Sequence, residues 1–137
     1  MRLENHVALI TGGGSGIGRA TAHAFARERA RLVLAARDAK SLDIVVRECA
    51  ARGGTAIAVP TDITDADAIE HLARRAVATY GRIDTWVNAA AVLVIGTLDT
   101  LPVRDIDQLI ATNVRGTMLG ARAALKQFRE QEGGVLI

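Results

Sequence analysis

The sequence predicts an α/β chain organised as a doubly wound parallel sheet. Three features carry this expectation. Short aliphatic runs alternate with helix-like stretches, the connections between them are brief, and the runs are continuously apolar, as in strands covered by helices on both faces. Alternation of this kind closes through right-handed crossovers.

The elements follow in order. "HVALIT" (6–11) reads as a first strand, and after a glycine cluster a helix is expected from Gly16 to about Arg29. "RLVLAA" (31–36) is a second strand, followed by a helix to about Arg52 that Gly53-Gly54 interrupts. "TAIAVP" (55–60) is the third strand. Thr64 is the expected N-cap of the next helix, with Asp65 and Asp67 in the first turn where the dipole favours carboxylates. That helix runs to Tyr80 and ends at Gly81; "IDTWVN" (83–88) is strand four. Pro102 opens a long helix to about Glu132, Gly133 and Gly134 cap it, and Val135 to Ile137 begin a fifth strand. Residues 1–137 contain no linker and no low-complexity segment, and read as one domain.

Composition narrows the function classes. Half of the chain is apolar and 3% aromatic, so the core is aliphatic. A pI near 9.2 accompanies a net charge of only +2. The 15 arginines and 2 lysines are dispersed, which argues against nucleic acid as a partner. The single cysteine, Cys49, excludes an intramolecular disulfide and falls at helical spacing with Leu42, Val45 and Val46, as a packing thiol does. His6, His23 and His71 form no ligand pattern, so no metal site is expected. No apolar run reaches the roughly 18 residues of a membrane span, and the N-terminus lacks a signal peptide's long apolar region, so the cytoplasm is the expected compartment.

"TGGGSGIG", Thr11 to Gly18, falls where the first strand turns into the first helix. Helix-terminal N–H groups and the helix dipole make this a place for phosphate. The spacing is G-x-x-x-G-x-G through Gly12, Gly16 and Gly18; neither G-x-G-x-x-G nor G-x-x-G-x-x-G fits in any register, and no Lys follows as an NTPase loop requires.

Thr-Gly-x-x-x-Gly-x-Gly after a first strand resembles the short-chain dehydrogenase/reductase family, in its single-domain branch. Three later stretches agree in order and spacing: "TDIT" after strand three, "VNAAAV" after strand four and "ATNVRGT" in the long helix. The resemblance implies a Rossmann-like sheet of strand order 3-2-1-4-5. It also implies cofactor contacts at Gly12, Ser15, Gly16, Ile17 and Gly18, at Asp62 and Ile63 beside the adenine, and at Asn88 and Ala90. The family's second Asn and its Gly in the strand-four stretch are here Ala89 and Ala91, which removes a bracing amide and adds a methyl to the pocket floor.

Strand two ends "LAARD". The slot in which an NAD site of this architecture places a carboxylate for the ribose 2′-OH holds Ala36. The next residue, Arg37, carries the planar fork suited to a 2′-phosphate, unless it is merely solvated or paired with Asp38. NADP is therefore expected over NAD, although the family's other basic phosphate position is Ser15.

In the long helix an apolar stripe runs from Ile106 through Leu109, Ile110, Asn113, Val114, Thr117, Ala121, Ala124, Leu125 and Phe128, which would bury Asn113. Such an amide either ties its helix to a neighbouring backbone or serves a site. The resemblance implies the latter: an asparagine that interrupts the helix and helps hold a water on the proton-relay path, which makes Asn113 the candidate catalytic residue. Gly116 and Gly120 imply close approach of a strand or of another subunit's helix. The resemblance implies a homo-oligomer, a dimer or tetramer.

The family's chemistry also needs a Ser on the fifth strand and a Tyr-x-x-x-Lys pair one helix later. The only tyrosine, Tyr80, has no Lys four residues on. The expectation is therefore the cofactor-binding half of an oxidoreductase acting on a carbonyl or alcohol, truncated at the fifth strand and inactive alone. A non-catalytic dinucleotide-binding or interaction module complete at 137 residues is the alternative. The loop "VLVIGTLDT" (92–100), apolar at its start, is the only segment placed to touch a substrate.

Overall fold

A computed structural model describes residues 2–137. Five parallel strands pair in the order β3-β2-β1-β4-β5, as expected. They are β1 (Val7–Thr11), β2 (Arg31–Ala36), β3 (Thr55–Pro60), β4 (Thr85–Asn88) and β5 (Val135–Leu136). Between them run α1 (Gly16–Arg27), α2 (Ala39–Ala50), α3 (Ala66–Tyr80), α4 (Val103–Leu109), a π-helical segment (Ile110–Gly116) and α5 (Thr117–Glu130). No helix among the described residues is long and apolar enough to cross a membrane.

Strand side chains alternate between two cores. Ala8, Ile10, Leu32 and Leu34 face α1 and α2, where they meet Ala22, Ala26, Leu42, Val45 and Cys49. Leu9, Val33, Val59 and Trp86 face α3 and α5, against Ile69, Leu72, Ala124 and Phe128. Both faces being covered explains the unbroken apolar runs. Burial pushes the Cys49 thiol up to about 11, which makes it a packing group.

Several boundaries differ from the expectation for local reasons. The first and last helices stop two residues early because Arg29 and Glu132 adopt left-handed backbone, each with φ 61°, so the turn before Gly133 is made by Glu132. The second helix ends at Ala50; its Cys49 carbonyl accepts from the Gly54 amide at 3.2 Å, closing the turn to β3. Asp65, not Thr64, caps α3, accepting from the amides of Asp67 at 2.9 Å and Ala68 at 3.2 Å. Thr64 is engaged elsewhere. Strand β4 begins at Thr85 because the Ile83 amide and carbonyl are taken by the Gln131 side chain, at 3.1 and 2.7 Å.

The largest correction concerns the long helix. Its buried line is Gly116, Gly120, Ala123, Ala124 and Phe128, while Ile110, Val114 and Leu125 are about half exposed. A π turn holds more residues than an α turn, so a 3.6-residue period carried across Ile110–Gly116 arrives rotated. Gly116 and Gly120 are approached from within the chain. A Cβ on Gly116 would stand 2.6 Å from the Ile63 side chain, and one on Gly120 would collide with the Asn88 amide oxygen beside Trp86.

Phe128, 8% exposed, closes the core between α3 and α5. Phe128→Ala should cost about 3 kcal/mol of unfolding free energy through the cavity it leaves. Chemical denaturation monitored by circular dichroism measures this, and a loss under about 1 kcal/mol would place the ring outside the core.

Candidate functional site

The carboxyl ends of β1 to β4 open onto a cleft of about 700 Å³. Its floor depends on how β1 meets β4. The Thr11 hydroxyl accepts from the amides of Ala89 at 3.2 Å and Ala90 at 3.4 Å and donates to the Val87 carbonyl at 3.4 Å. Gly12, at φ +69°, lies so close that a Cβ there would stand 2.7 Å from the Ala89 and Ala90 backbone. Thr11 therefore ties the end of β1 to the turn that leaves β4.

The glycine loop delivers α1 to the cleft with its N-terminus open. Ser15 has extended backbone, φ −158°, and its side chain makes no capping bond; no acidic residue occupies the first turn. By contrast, α2 and α3 are both capped by aspartates, Asp38 and Asp65. Gly16 has φ +52°, and a Cβ there would meet nothing within 4 Å. The result is a helix terminus with its positive end free, over empty space.

At the end of β2, Ala36 and Arg37 line the cleft. Arg37 is exposed and makes no hydrogen bond or ion pair among the described residues, and Asp38 is committed to the amides of Lys40 and Ser41, both at 3.2 Å. After β3, Asp62 accepts from the Thr64 amide at 2.9 Å and its hydroxyl at 2.8 Å. The amide bond first, then the hydroxyl, hold the Asp62 carboxyl below its ordinary range, and the Arg37 charge adds to this.

Of the residues singled out in the sequence, Gly12, Ser15, Gly16, Ile17, Arg37, Asp62, Ile63 and Ala90 all line this one cleft. Gly18 and Asn88 do not. Gly18 packs on the Gly12 carbonyl, and Asn88 accepts from the Trp86 indole at 3.1 Å. Asn113 is half-buried rather than buried. Both ends of its amide bond the Val92 backbone, Oδ1 accepting from the amide at 2.9 Å and Nδ2 donating to the carbonyl at 2.8 Å. It therefore ties the π segment to the loop after β4. Thr11 and Thr112 stand in the glycine-loop and long-helix motifs, but sequence reasoning gave neither a role: that of Thr11 needs the β1–β4 junction, and Thr112 reaches the cleft, with Gln108, which carries no motif, only through the helix's packing.

Away from the cleft, Glu48 on α2 pairs with Arg19 and with His23 Nε2 at 2.9 Å on α1. The Arg19 guanidinium first, then His23, hold the Glu48 carboxyl low. The triplet joins the two helices that cover one sheet face.

Comparison with known proteins matches residues 6–137 to the short chain dehydrogenase family. The chain belongs to that family. The uncharacterized oxidoreductase YxnA of Bacillus subtilis is 38% identical over 127 residues, covering 93% of this chain and 36% of that protein. A metagenomic short-chain oxidoreductase crystallised with NADP superposes with a TM-score of 0.91 at 36% identity, covering 99% of this chain and 62% of that one. NAD+-bound xylitol dehydrogenase gives a TM-score of 0.96 at 25% identity, covering 99% of this chain and 53% of that one. The chain thus spans between 36% and 62% of the length of these three proteins.

Because its folded pKa is depressed, Asp62 stabilises the turn after β3 above the carboxyl's unfolded value, and this support is lost as pH falls through the folded one. Thr64→Val should raise the Asp62 pKa and move that loss to higher pH. Carboxyl chemical shifts followed by NMR titration check the direction, and an unmoved or lowered Asp62 midpoint contradicts it.

Proposed function

We propose that the chain is the cofactor-binding half of an NADP-dependent oxidoreductase, which moves a hydride between a nicotinamide cofactor and a small-molecule carbonyl or alcohol. The observation that carries the reading is the uncapped N-terminus of α1, aimed over open Gly16 into a cleft large enough for a dinucleotide. The residues present fit that group. The α1 terminus would take the pyrophosphate, and Arg37 would take a 2′-phosphate beside Ala36, which offers the ribose no acceptor. The family relatives that bind NADP and NAD+ support a nicotinamide dinucleotide, and the unpartnered Arg37 favours the phosphorylated form.

When bound, the nicotinamide supplies or accepts the hydride. This chain's own residues bind and orient it: Ala90 to Val92 form the wall at the β4 side, and Asn113 acts as a positioning residue that fixes Val92. The accompanying proton is not moved by Tyr80, whose ring packs on the α3 core. Activity therefore calls for a proton donor supplied from beyond these residues. The half-exposed stripe of Ile110, Val114 and Leu125, with Met118, supports a homo-oligomer, a dimer or tetramer, through this helix.

Arg37→Asp should weaken NADP binding at least about tenfold, since a charge-assisted bond contributes roughly 1.5–3 kcal/mol, while NAD binding holds or improves. Calorimetric titration of both cofactors tests this. Equal wild-type affinity for NAD and NADP would sink the phosphate assignment.

Gly16→Val should abolish binding of either dinucleotide in a protein that circular dichroism shows to be folded. The added side chain enters the space left open for the pyrophosphate, at a φ that a β-branched residue resists. Unchanged affinity would place the phosphates elsewhere.

A further inference from the structure

Pairing alone holds β5 more loosely than the other strands. β1 meets β2 over five residue pairs and β2 meets β3 over six, while β5 meets β4 over two, Thr85 with Val135 and Trp86 with Leu136. Val135, Leu136 and Ile137 are 53%, 39% and 64% exposed among the described residues, so burial does little to select one pairing over another. Register is weakly specified where no strand face is buried, and a slip of two residues, about 6.6 Å, keeps every side chain on its own face.

The turn that launches β5 is fixed to the sheet by one side chain. Gln131, at the C-cap of α5, reaches the segment before β4. Its Oε1 accepts from the Ile83 amide at 3.1 Å, and its Nε2 donates to the Ile83 carbonyl at 2.7 Å and to the Gly133 carbonyl at 2.8 Å. Gln127, one turn back, donates to the same Oε1 at 3.1 Å and so orients the amide. The anchor is rigid. Ile83 is fully buried, and the adjoining Asp84 is bonded twice to Val7, its amide donating to the Val7 carbonyl at 2.8 Å and its carboxylate accepting from the Val7 amide at 2.9 Å. Toward the helix, the Gly133 amide donates to the Phe128 carbonyl at 2.9 Å, and a Cβ on Gly134 would collide with the Phe128 ring. Among the described residues, no other side chain of Gln131 to Gly134 makes a hydrogen bond to the sheet.

We propose that Gln131 is a positioning residue that sets the register of β5, by locking its launching turn to the segment before β4 and through it to the central strand β1. The consequence is read at the opposite end of the strand. In this register the Ile137 amide donates to the Trp86 carbonyl at 2.9 Å, and the Ile137 carbonyl accepts from the Asn88 amide at 2.8 Å. From Asn88 the chain passes directly into the cleft wall at Ala89 and Ala90. A slipped β5 would present a different carbonyl there. The lock holds whichever ligand the cleft takes.

The test compares wild type with Gln131→Met, which keeps the length and loses the amide, in the full chain by NMR. In wild type the side-chain N–H protons of Gln131, donated to two carbonyls, should exchange at least about tenfold more slowly than those of exposed Gln108. In Q131M, amide exchange at Ile137 and Asn88 should quicken about tenfold or more, while Leu9 and Leu34 in the central strands change by less than about threefold. Cross-strand NOE contacts between Trp86 and Leu136 should weaken or move to other partners. Gln131→Glu keeps an acceptor for the Ile83 amide and removes both donors; it should act on the same amides, and it stands in if Q131M does not fold. Wild-type Gln131 protons that exchange like those of Gln108 overturn the proposal, as do folded variants that keep the native contacts and exchange rates. So does an equal quickening at Leu9 and Leu34, which would make Gln131 a general contributor to stability and not the determinant of register.

Discussion

Everything the cleft does depends on the backbone of Gly12 lying against that of Ala89 and Ala90. A side chain there has nowhere to go: its Cβ would stand 2.7 Å from atoms of the neighbouring loop. With that contact made, Thr11 can reach across with its hydroxyl and hold the ends of β1 and β4 together. The chain then turns at positive φ through Gly12 and again at Gly16, and α1 emerges with its first turn pointed into the space between the strands. Gly18 seats the start of that helix on the Gly12 carbonyl, so the loop's glycines divide the work. Two allow packing, and one leaves a vacancy.

Helix caps divide the molecule in the same way. Aspartates satisfy the first turns of α2 and α3, which makes those ends electrostatically quiet. The first turn of α1 has neither a capping side chain nor a carboxylate, and it is the one that faces the cleft. An unsatisfied helix terminus costs stability unless water or a ligand meets it. Its location at the mouth of a cavity, with Arg37 unpartnered nearby, is what the proposed phosphate contact rests on.

On the other side of the sheet, the π segment couples packing to the site. Its wider turn lets Asn113 face the loop after β4 and grip both polar atoms of Val92, while Gly116 and Gly120 settle against Ile63 and β4. One helix thereby fixes two walls of the cleft. The same irregularity turns Ile110 and Val114 outward.

The sequence by itself determined the doubly wound layers and the glycine loop, and through its family resemblance the strand order. These follow from local rules: continuous apolar runs, their alternation with helical stretches, and glycine where no side chain fits. It also determined most of the cleft, because Gly12, Gly16, Arg37 and Asp62 belong to short segments at strand ends, and strand ends in such a sheet converge. Only the tertiary structure decided what depended on phase and partnership. Of the stripe expected along the long helix, Ala124 and Phe128 are buried, while Ile110 and Val114 turn outward in the π segment, where a constant number of residues per turn does not hold. Asn113 was expected in the core and lies half-buried, its amide bonded to the N–H and C=O of one residue, Val92, in the loop after β4. Gln108 had no signature, and Thr112 stood beside Asn113 in its motif without a role of its own. They became part of the site because Gly116 and Arg115, one and two turns away, dock their helix against the turn after β3, and a docking contact between distant segments leaves no mark on either one's local pattern.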